Sequence, residues 1–322
     1  MRILTFLSTT FINLFFVFAF TSLAGLGVAY IYFKNQLPQI PENLRYLNQR
    51  PPTEIYSHDG KILKILGDRS FVTLNLISPN FQKALIAVED ADFYEHHGAD
   101  HRSLLRAFWV NLKNRRSLQG ASTITQQLAK NLFFSFEKSY KRKLKEILMG
   151  FQIESTFSKD EILEAYANQI YFGRGVYGVN KASYIYFGKS AKELTLFQSA
   201  VLAGIPKSPN HFNPISNKKA SLARGRYVLA RMVEEGFIKA TDKDQALRSD
   251  LNLKAARGKS NPNNHFIDYV VNDLEKKYGN EFINFGGLKI FTTLDSGMQK
   301  AAHRVAEEHI RFLESHMSKK SV

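Results

Sequence analysis

The sequence predicts a mainly α-helical fold with small β-containing segments on either side of it. Apolar side chains recur at helical spacing through most of residues 78–254. Helix-start signals precede several of these runs, and the first is Ser78 followed by Pro79. Alternating patterns typical of strands occur near residues 53–66 and 287–294. We therefore expect one helical domain over 78–254, bounded by two smaller segments.

An apolar segment precedes these elements. Residues 3–33 contain no charged side chain, and a membrane-spanning helix needs about 20 apolar residues. Tyr30 and Tyr32 lie near its end, where aromatic side chains suit a membrane interface. The segment predicts an N-terminal transmembrane helix, an anchor over 1–34, with the rest of the chain exported. A cleaved signal peptide is the alternative, although the apolar stretch is long for one.

The bulk charge narrows the class of partner. The 322 residues carry a formal net charge of +15 and include no cysteine. The absence of cysteine excludes a disulfide framework and a thiolate metal site. The positive charge favours nucleic acid, anionic lipid or a phosphorylated substrate. The predicted anchor favours the partners that are found at a membrane.

The two flanking segments each contain strand signals. Residues 35–77 are predicted to be an extended segment with a hairpin around Asp59 and Gly60, a pair favoured in type I′ turns. Residues 255–322 begin with loop-like composition and continue with a helix, a strand near 287–294 and a closing helix. We expect these to be separate segments.

Two capping boxes predict helix starts within the helical domain. Ser158 with Glu161 precedes one apolar run, and Ser190 with Glu193 precedes another. The second box predicts a helix over 194–203.

A first group of polar residues follows the first predicted helix. Glu89 and Asp90 end that helix and open a loop. One interpretation is a solvated acidic turn in which Asp100 caps the next helix. A metal site is another, because His97 and His101 are four residues apart and close to Asp100.

A third interpretation of this group is catalytic. A general base needs a carboxylate that is partly removed from water. Val88 and Phe93 flank Glu89 and can supply an apolar environment. Glu89 is therefore the candidate base.

A second polar segment opens the helix predicted after residue 121. Ser122 and Thr123 lie at its start, where free backbone N–H groups favour an anion. Gln126 and Lys130 are four residues apart and share a face. The alternative is a capped amphipathic helix with a polar outer face.

A third group places Lys138, Arg142, Lys145 and Glu146 within one stripe of a predicted helix. An exposed, salt-bridged face is the simplest interpretation, and it would contribute little to stability. A cationic stripe also suits a pyrophosphate, whose charge must be neutralised when it leaves.

The match of residues 173–178 to G-x-G-x-x-G does not predict a dinucleotide site. The preceding element is a predicted helix that ends at Ile170, and no βαβ unit is visible. We expect a tight loop.

The three polar groups, in this order and spacing, resemble the motifs of the peptidoglycan glycosyltransferases. Residues 142–146 are similar to the Arg-Lys-x-x-Glu motif of that family. Residues 161–189 and 200–214 resemble its fourth and fifth motifs. Residues 265–302 resemble the connector that follows this module in class A penicillin-binding proteins.

The resemblance implies a lysozyme-like helical fold and an inverting hexosyltransferase. Its reaction would polymerise lipid II into β-1,4-linked glycan and release undecaprenyl pyrophosphate. Glu89 and Glu146 would be the catalytic carboxylates. The residues implied to bind substrate are Asp90, Phe93, His97, Gly98, Ser122, Thr123, Gln126, Gln127, Lys130, Asn131, Lys138, Arg142, Lys143 and Lys145.

The resemblance also implies cofactors, partners and a location. Mg²⁺ or Mn²⁺ near Glu146 is the candidate cofactor, and we expect no organic one. The expected partners are lipid II, the growing glycan strand, the inner membrane and other cell-wall synthesis proteins, but not nucleic acid. The domain would face the periplasm from a single-pass anchor in the bacterial cytoplasmic membrane. No Lys-Thr-Gly motif is found, so we expect no transpeptidase activity.

Two alternative functions remain at this point. A glycan-cleaving lytic enzyme on a similar fold would use Glu89 as an acid and would need no pyrophosphate site. A non-catalytic, membrane-anchored scaffold of a cell-wall complex would need neither Glu89 nor Glu146.

Overall fold

The computed structural model describes residues 16–17, 20–21, 25, 27, 31–44, 51–67, 70–100, 122–134, 139–254, 264–278 and 280–318. The anchor predicted over 1–34 falls largely on residues outside these ranges. Within them, no helix combines the length and the apolar character that crossing a membrane requires.

The described part of the chain is mainly helical, as the sequence predicts. The helical domain contains α1 (Pro79–Glu89), α2 (Ile124–Phe133), α3 (Tyr140–Thr156), α4 (Lys159–Gln169), α5 (Val179–Phe187), α6 (Leu196–Gly204), α7 (Lys218–Glu234) and α8 (Ala240–Arg248). Short 3₁₀ turns occur at Leu74–Leu76, Ala191–Glu193 and Ile205–Lys207. The helices α9 (Asn264–Tyr278), α10 (Asn280–Phe285) and α11 (Ser296–Ser318) follow.

Helix α6 is buried along most of its length and packs against both α1 and α7, which also contact each other. Gly225 of α7 permits a close approach, because an added Cβ would lie 2.7 Å from Val201 Cγ2 on α6. Helix α2 packs in the same way against α3 and α4. The group of α1, α6 and α7 and the group of α2, α3 and α4 therefore share one apolar core.

The predicted helix starts are partly confirmed. The capping box of Ser158 and Glu161 starts α4. Ser78 precedes α1, but its hydroxyl donates to Leu194 O at 3.1 Å instead of capping the helix. The box of Ser190 forms too, yet it starts only a 3₁₀ turn. The helix expected over 194–203 begins at Leu196, because Thr195 and Gln198 form a further capping box of their own.

The two flanking segments, predicted as separate, meet in one small sheet. Strand β1 (Thr53–Tyr56) pairs with β2 (Ile62–Leu66) in the expected antiparallel hairpin. It also pairs in parallel with β3 (Lys289–Phe291). Helix α10 packs on this sheet around a core that includes Ile55 and Ile283.

The turn of the hairpin is not of the predicted type I′. Gly60 has a φ of +75°, while Asp59 is not among the residues with positive φ. A type I′ turn needs positive φ at both central residues. The loop is longer: Ser57 N–H donates to Lys61 O at 2.9 Å, which leaves three residues between them. Asp59 instead accepts from Ser296 Oγ at 2.7 Å and so ties the hairpin to the start of α11.

Residues 173–178 form the predicted tight loop. Gly173, Gly175 and Gly178 have φ values of +85°, +72° and +79°. Phe172 N–H and Val176 O are 2.8 Å apart across the loop.

Gly98 brings the loop after α1 into contact with α3. Its φ is +78°, and an added Cβ would lie 2.7 Å from Phe151 N. Its carbonyl accepts from Thr123 Oγ1 at 3.1 Å and from Gln126 Nε2 at 3.2 Å. One glycine therefore joins the end of α1 to α2 and α3.

We expect Gly98→Ala to destabilise the protein more than Gly175→Ala does. Both positions have positive φ, which costs a residue with a side chain about 1–2 kcal/mol. Gly175 has open space around it, whereas overpacking at Gly98 costs a further ~1–3 kcal/mol. The free energy of unfolding in denaturant measures the difference. Equal losses for the two variants would mean that the loop and α3 separate at little cost.

Candidate active site

Glu89 is the last residue of α1 and is half-buried. Gln127 Nε2 on α2 donates to Glu89 Oε2 at 2.9 Å. Gln127 Oε1 in turn accepts from the buried Tyr166 hydroxyl on α4 at 2.7 Å. The Tyr166 bond fixes which end of the Gln127 amide faces Glu89, so the carboxylate is held by a donor of defined orientation.

The surroundings of Glu89 favour proton uptake. Burial raises the pKa of its carboxyl, and the Gln127 hydrogen bond and nearby cations lower it only in part. Burial also raises the pKa of Tyr166 well above its usual value, with the charges of Glu89 and Asp90 adding to the effect. Tyr166 therefore stays a neutral donor. A half-buried carboxylate with a raised pKa is suited to general-base chemistry.

Three cations act on the Glu89 carboxylate. In order of effect they are Arg224 of α7, Lys207 and Lys130 of α2. The Arg224 guanidinium also lies 4.6 Å from the ring centre of Tyr227. Lys130 was a predicted site residue, whereas Arg224 and Lys207 were not. Packing of α7 against α1 brings Arg224 there, and no short motif in the sequence signals that contact.

The side chain of Asp90 contacts the first residue of α2. Its Oδ2 accepts from Ile124 N–H at 2.9 Å, and both carboxylate oxygens lie 3.0 Å from His96 Nε2. Thr123 caps the same helix through Gln126 N–H. The anion expected at this helix start is therefore supplied by the protein itself.

The two adjacent histidines have different environments. His96 is buried against Asp90, while the predicted site residue His97 is exposed. Phe93 is fully buried beneath Lys159, whose Nζ lies 4.5 Å from the ring centre. The metal interpretation involved His101, which lies outside the described residues. Among those described, no three His, Asp or Glu side chains are arranged to hold a metal ion.

A second charged group lies where α2 meets α3. Lys143 Nζ donates to Ser122 Oγ and to Gln126 Oε1, each at 2.8 Å. It also lies 3.5 Å from Glu146 Oε2. Burial lowers the pKa of Lys143, and the charge of Glu146 opposes that effect.

The interpretation of this group as an exposed, salt-bridged face is wrong. Glu146 is only 4% exposed, and Arg142 Nε lies 2.9 Å from its Oε1. Lys143 is its other close cation. Lys145 is half-buried and makes no ion pair within the described ranges, and Lys138 lies outside them. The buried carboxylate therefore pairs with two partly exposed cations of its own helix.

Helix α2 connects the two charged groups. The charge of Lys130, a residue of α2, lowers the pKa of Glu89 in one group and that of Lys143 in the other. Asn131, the next residue, is half-buried. The site thus places a base and a cationic group beside one short helix, in contact with its consecutive residues Gln127 and Gln126. This arrangement can remove a proton at one end and stabilise a developing anion at the other.

The raised pKa of Glu89 predicts that this carboxylate costs stability at neutral pH. A carboxyl whose pKa rises on folding contributes stability only while it is protonated. We expect Glu89→Gln to have a higher Tm than the wild type at pH 8, with the difference closing near pH 4. Thermal unfolding of both proteins across this range measures it.

Glu193→Gln is the matched control with the opposite sign. Hydrogen bonds from Ser190 lower the pKa of Glu193, so its ionised form stabilises the fold. We expect Glu193→Gln to lower the Tm at pH 8. A higher Tm for both variants would mean that removing any carboxylate from this chain has the same effect.

Comparisons with known proteins identify the family of this chain. The family model described as Transglycosylase matches residues 59–233, more than half of the chain. Penicillin-binding protein 1A of Escherichia coli (strain K12) is 39% identical over 295 residues, which are 89% of this chain and 34% of that protein. Penicillin-binding protein 1A of Aquifex aeolicus (strain VF5) is 39% identical over 289 residues, 89% of this chain and 39% of that protein.

A crystal structure of Penicillin-Binding Protein 1A from Haemophilus influenzae matches 77% of this chain and 28% of its own, with 25% identity and a TM-score of 0.40. The chain spans little more than a third of the length of the curated relatives it matches. The family model covers Glu89, Asp90 and Glu146. This chain belongs to the transglycosylase family.

Proposed function

We propose that this chain is a peptidoglycan glycosyltransferase that polymerises lipid II and releases undecaprenyl pyrophosphate. One observation carries the proposal. The Glu89 carboxylate, with its raised pKa, accepts from Gln127 of α2. The neighbouring Gln126 accepts from Lys143, which lies with Arg142 beside the buried Glu146 carboxylate. Membership of the transglycosylase family supports the same reaction.

In the proposed reaction, Glu89 acts on the acceptor, and the cations beside Glu146 act on the leaving group. Glu89 removes the proton from the 4-hydroxyl of the acceptor sugar. That oxygen attacks the anomeric carbon of the donor, whose bond to undecaprenyl pyrophosphate breaks. Attack from the opposite face inverts an α-linked donor to a β-1,4 link. The pyrophosphate leaves as an anion, so no separate acid is required for it.

The cations serve the leaving group. Arg142 and Lys143 lie beside Glu146 within one helix. Glu146 offsets part of their charge and holds them in place, so that an arriving pyrophosphate meets positioned donors. The charge of Lys130 lowers the pKa of Glu89 and that of Lys143. The same charge favours the anionic form of the base and of the leaving group alike.

The residues do not fit a protein-held Mg²⁺ or Mn²⁺ ion at Glu146. The nearest charged partners of this carboxylate are two cations. A divalent cation prefers several oxygen ligands, and the described ranges offer no cluster of three His, Asp or Glu. Arg142 and Lys143 supply the positive charge in the reaction as we propose it.

The setting follows from the substrate. Lipid II is an anionic lipid, and a strongly basic chain with an apolar N-terminal segment is suited to a membrane that contains it. We propose a single-pass location in the bacterial cytoplasmic membrane, with the helical domain on the periplasmic side. The growing glycan strand and other cell-wall synthesis proteins are the proposed partners.

A lytic enzyme with Glu89 as its acid is a weaker candidate. It would need no pyrophosphate site, and the two cations beside Glu146 would then have no role in the reaction. A non-catalytic scaffold would not require a Glu89 held by an oriented amide. The family match also favours synthesis over these alternatives.

We expect the wild-type chain to convert lipid II into long glycan, and Glu89→Gln to lose about 10²–10⁴-fold of that activity. The amide is nearly isosteric but cannot accept the proton. Gel analysis of labelled lipid II measures the product. Glu193→Gln is the control and should polymerise normally. Glycan fragments would identify a lytic enzyme, and unchanged lipid II with the wild type would support the scaffold.

We expect Arg142→Lys to lower polymerisation at least tenfold while the protein stays folded. Lysine keeps the charge near Glu146 but cannot reproduce the planar fork of arginine. Arg142→Ala should also lower the Tm, because Glu146 is buried and would lose a cation. Arg226→Lys, at an exposed position of α7, is the matched control. Normal turnover and normal binding of undecaprenyl pyrophosphate by Arg142→Lys would contradict a role for Arg142 in holding the pyrophosphate.

A further inference from the structure

A line of largely buried, ionisable side chains extends from Asp90 away from the site. His96 Nε2 contacts both oxygens of Asp90 at 3.0 Å. The other ring nitrogen, Nδ1, lies 3.8 Å from Glu154 Oε1 and 3.5 Å from Lys159 Nζ. Lys159 Nζ lies 2.7 Å from Glu154 Oε2. Two carboxylates, one imidazole and one ammonium thus form a continuous chain of contacts.

This chain of contacts is removed from water. The side chains of Asp90 and Glu154 are each 3% exposed and that of His96 is 4% exposed. Lys159 is 18% exposed, and its ammonium lies over the ring of Phe93. Burying charges costs free energy even when they are paired. Such a group is therefore poorly explained by stability alone, and fixing a unique arrangement of neighbouring elements is its best attested use.

The elements it fixes are the ones that carry the site. Glu154 is in α3, the helix of Arg142 and Glu146, and it also accepts from Thr125 of α2. Lys159 is the first residue of α4, the helix of Tyr166. Their ion pair thus joins α3 to α4, and the Thr125 bond adds α2.

Asp90 transmits this arrangement to the base. It follows Glu89 directly, and it accepts from the N–H of Ile124, the first residue of α2. Gln127 lies one turn further along α2 and donates to Glu89. The distance from Gln127 to Glu89 therefore depends on how firmly Asp90 holds the helix start, and His96 holds Asp90.

We propose that Glu154 and Lys159 are positioning residues that keep Gln127 in register with Glu89, acting through His96 and Asp90. This inference rests on the proposed function, in which Glu89 is the base. Neither residue is among the site residues that the resemblance implies. Without the ammonium, the Glu154 carboxylate is buried without its cation, and the His96 ring loses the partner that fixes it. The start of α2 then moves relative to the end of α1.

The experiment compares Lys159→Met with Lys218→Met. Both lysines are the first residue of a helix, and Lys218 is exposed and remote from the network. We expect Lys159→Met to lower kcat on lipid II by about 10–100-fold with little change in KM, because a small displacement of catalytic groups has effects of this size. Lys218→Met should behave as the wild type. Lys159→Arg, which keeps the charge, should recover most of the loss.

A pH profile separates positioning from a merely structural role. The Gln127 hydrogen bond lowers the pKa of Glu89, so weakening it moves the acid limb of kcat/KM to higher pH in Lys159→Met. Glu154→Gln should move it in the same direction. A lower Tm with an unmoved acid limb would overturn the inference, and so would wild-type kcat in Lys159→Met.

A readout without substrate keeps this inference distinct from the proposed function. Hydrogen exchange of the Ile124 amide, which donates to Asp90, should be at least tenfold faster in Lys159→Met than in Lys218→Met. If the wild type fails to polymerise lipid II, the proposed function is wrong, and the exchange rate alone decides whether Lys159 holds the helix start. Equal exchange in the two variants would overturn the inference in either case.

Discussion

The hydrogen bond from Ile124 N–H to the Asp90 carboxylate is the contact on which the rest of the site depends. It places an acidic side chain at the start of α2, where the free N–H groups and the helix dipole favour negative charge. Because Asp90 follows Glu89 directly, the same bond sets the start of α2 beside the end of α1. The amide of Gln127 then meets Glu89 one turn later. The positions of the base, of its hydrogen-bond donor and of Lys130, the cation of α2, all depend on this hydrogen bond.

The two charged groups of the site are built by opposite means. Glu89 is a half-buried carboxylate whose pKa rises because burial outweighs its hydrogen bond and the neighbouring cations. Glu146 is more deeply buried, and two cations contact its carboxylate directly. The first arrangement favours a group that accepts a proton, and the second holds two cations in place. The same residue type therefore serves two purposes, and its neighbours decide which.

Much of the helical domain could be predicted from the sequence. Apolar spacing and local capping signals depend on residues a few positions apart, so α1, α4 and the hairpin of β1 and β2 form where expected. The type of the hairpin turn and the exact start of one helix were harder to predict. The prediction of a type I′ turn was wrong because the hydrogen bond between Ser57 and Lys61 closes a longer loop. The helix after Ser190 starts late because a second capping box competes with the first.

The sequence by itself determined the helical class, the order of the polar segments and the identity of Glu89 and Glu146 as the candidate carboxylates, since these depend on local spacing and motif. Only the tertiary structure decided which side chains meet. It buried His96 rather than His97, brought Arg224 from α7 to Glu89, and paired β1 with β3 across more than two hundred residues. Each of these depends on packing between elements distant in sequence, where no short-range pattern records the partner. The physical reason is that burial and charge pairing are set by the whole core, whereas helix periodicity is set by the neighbouring turn.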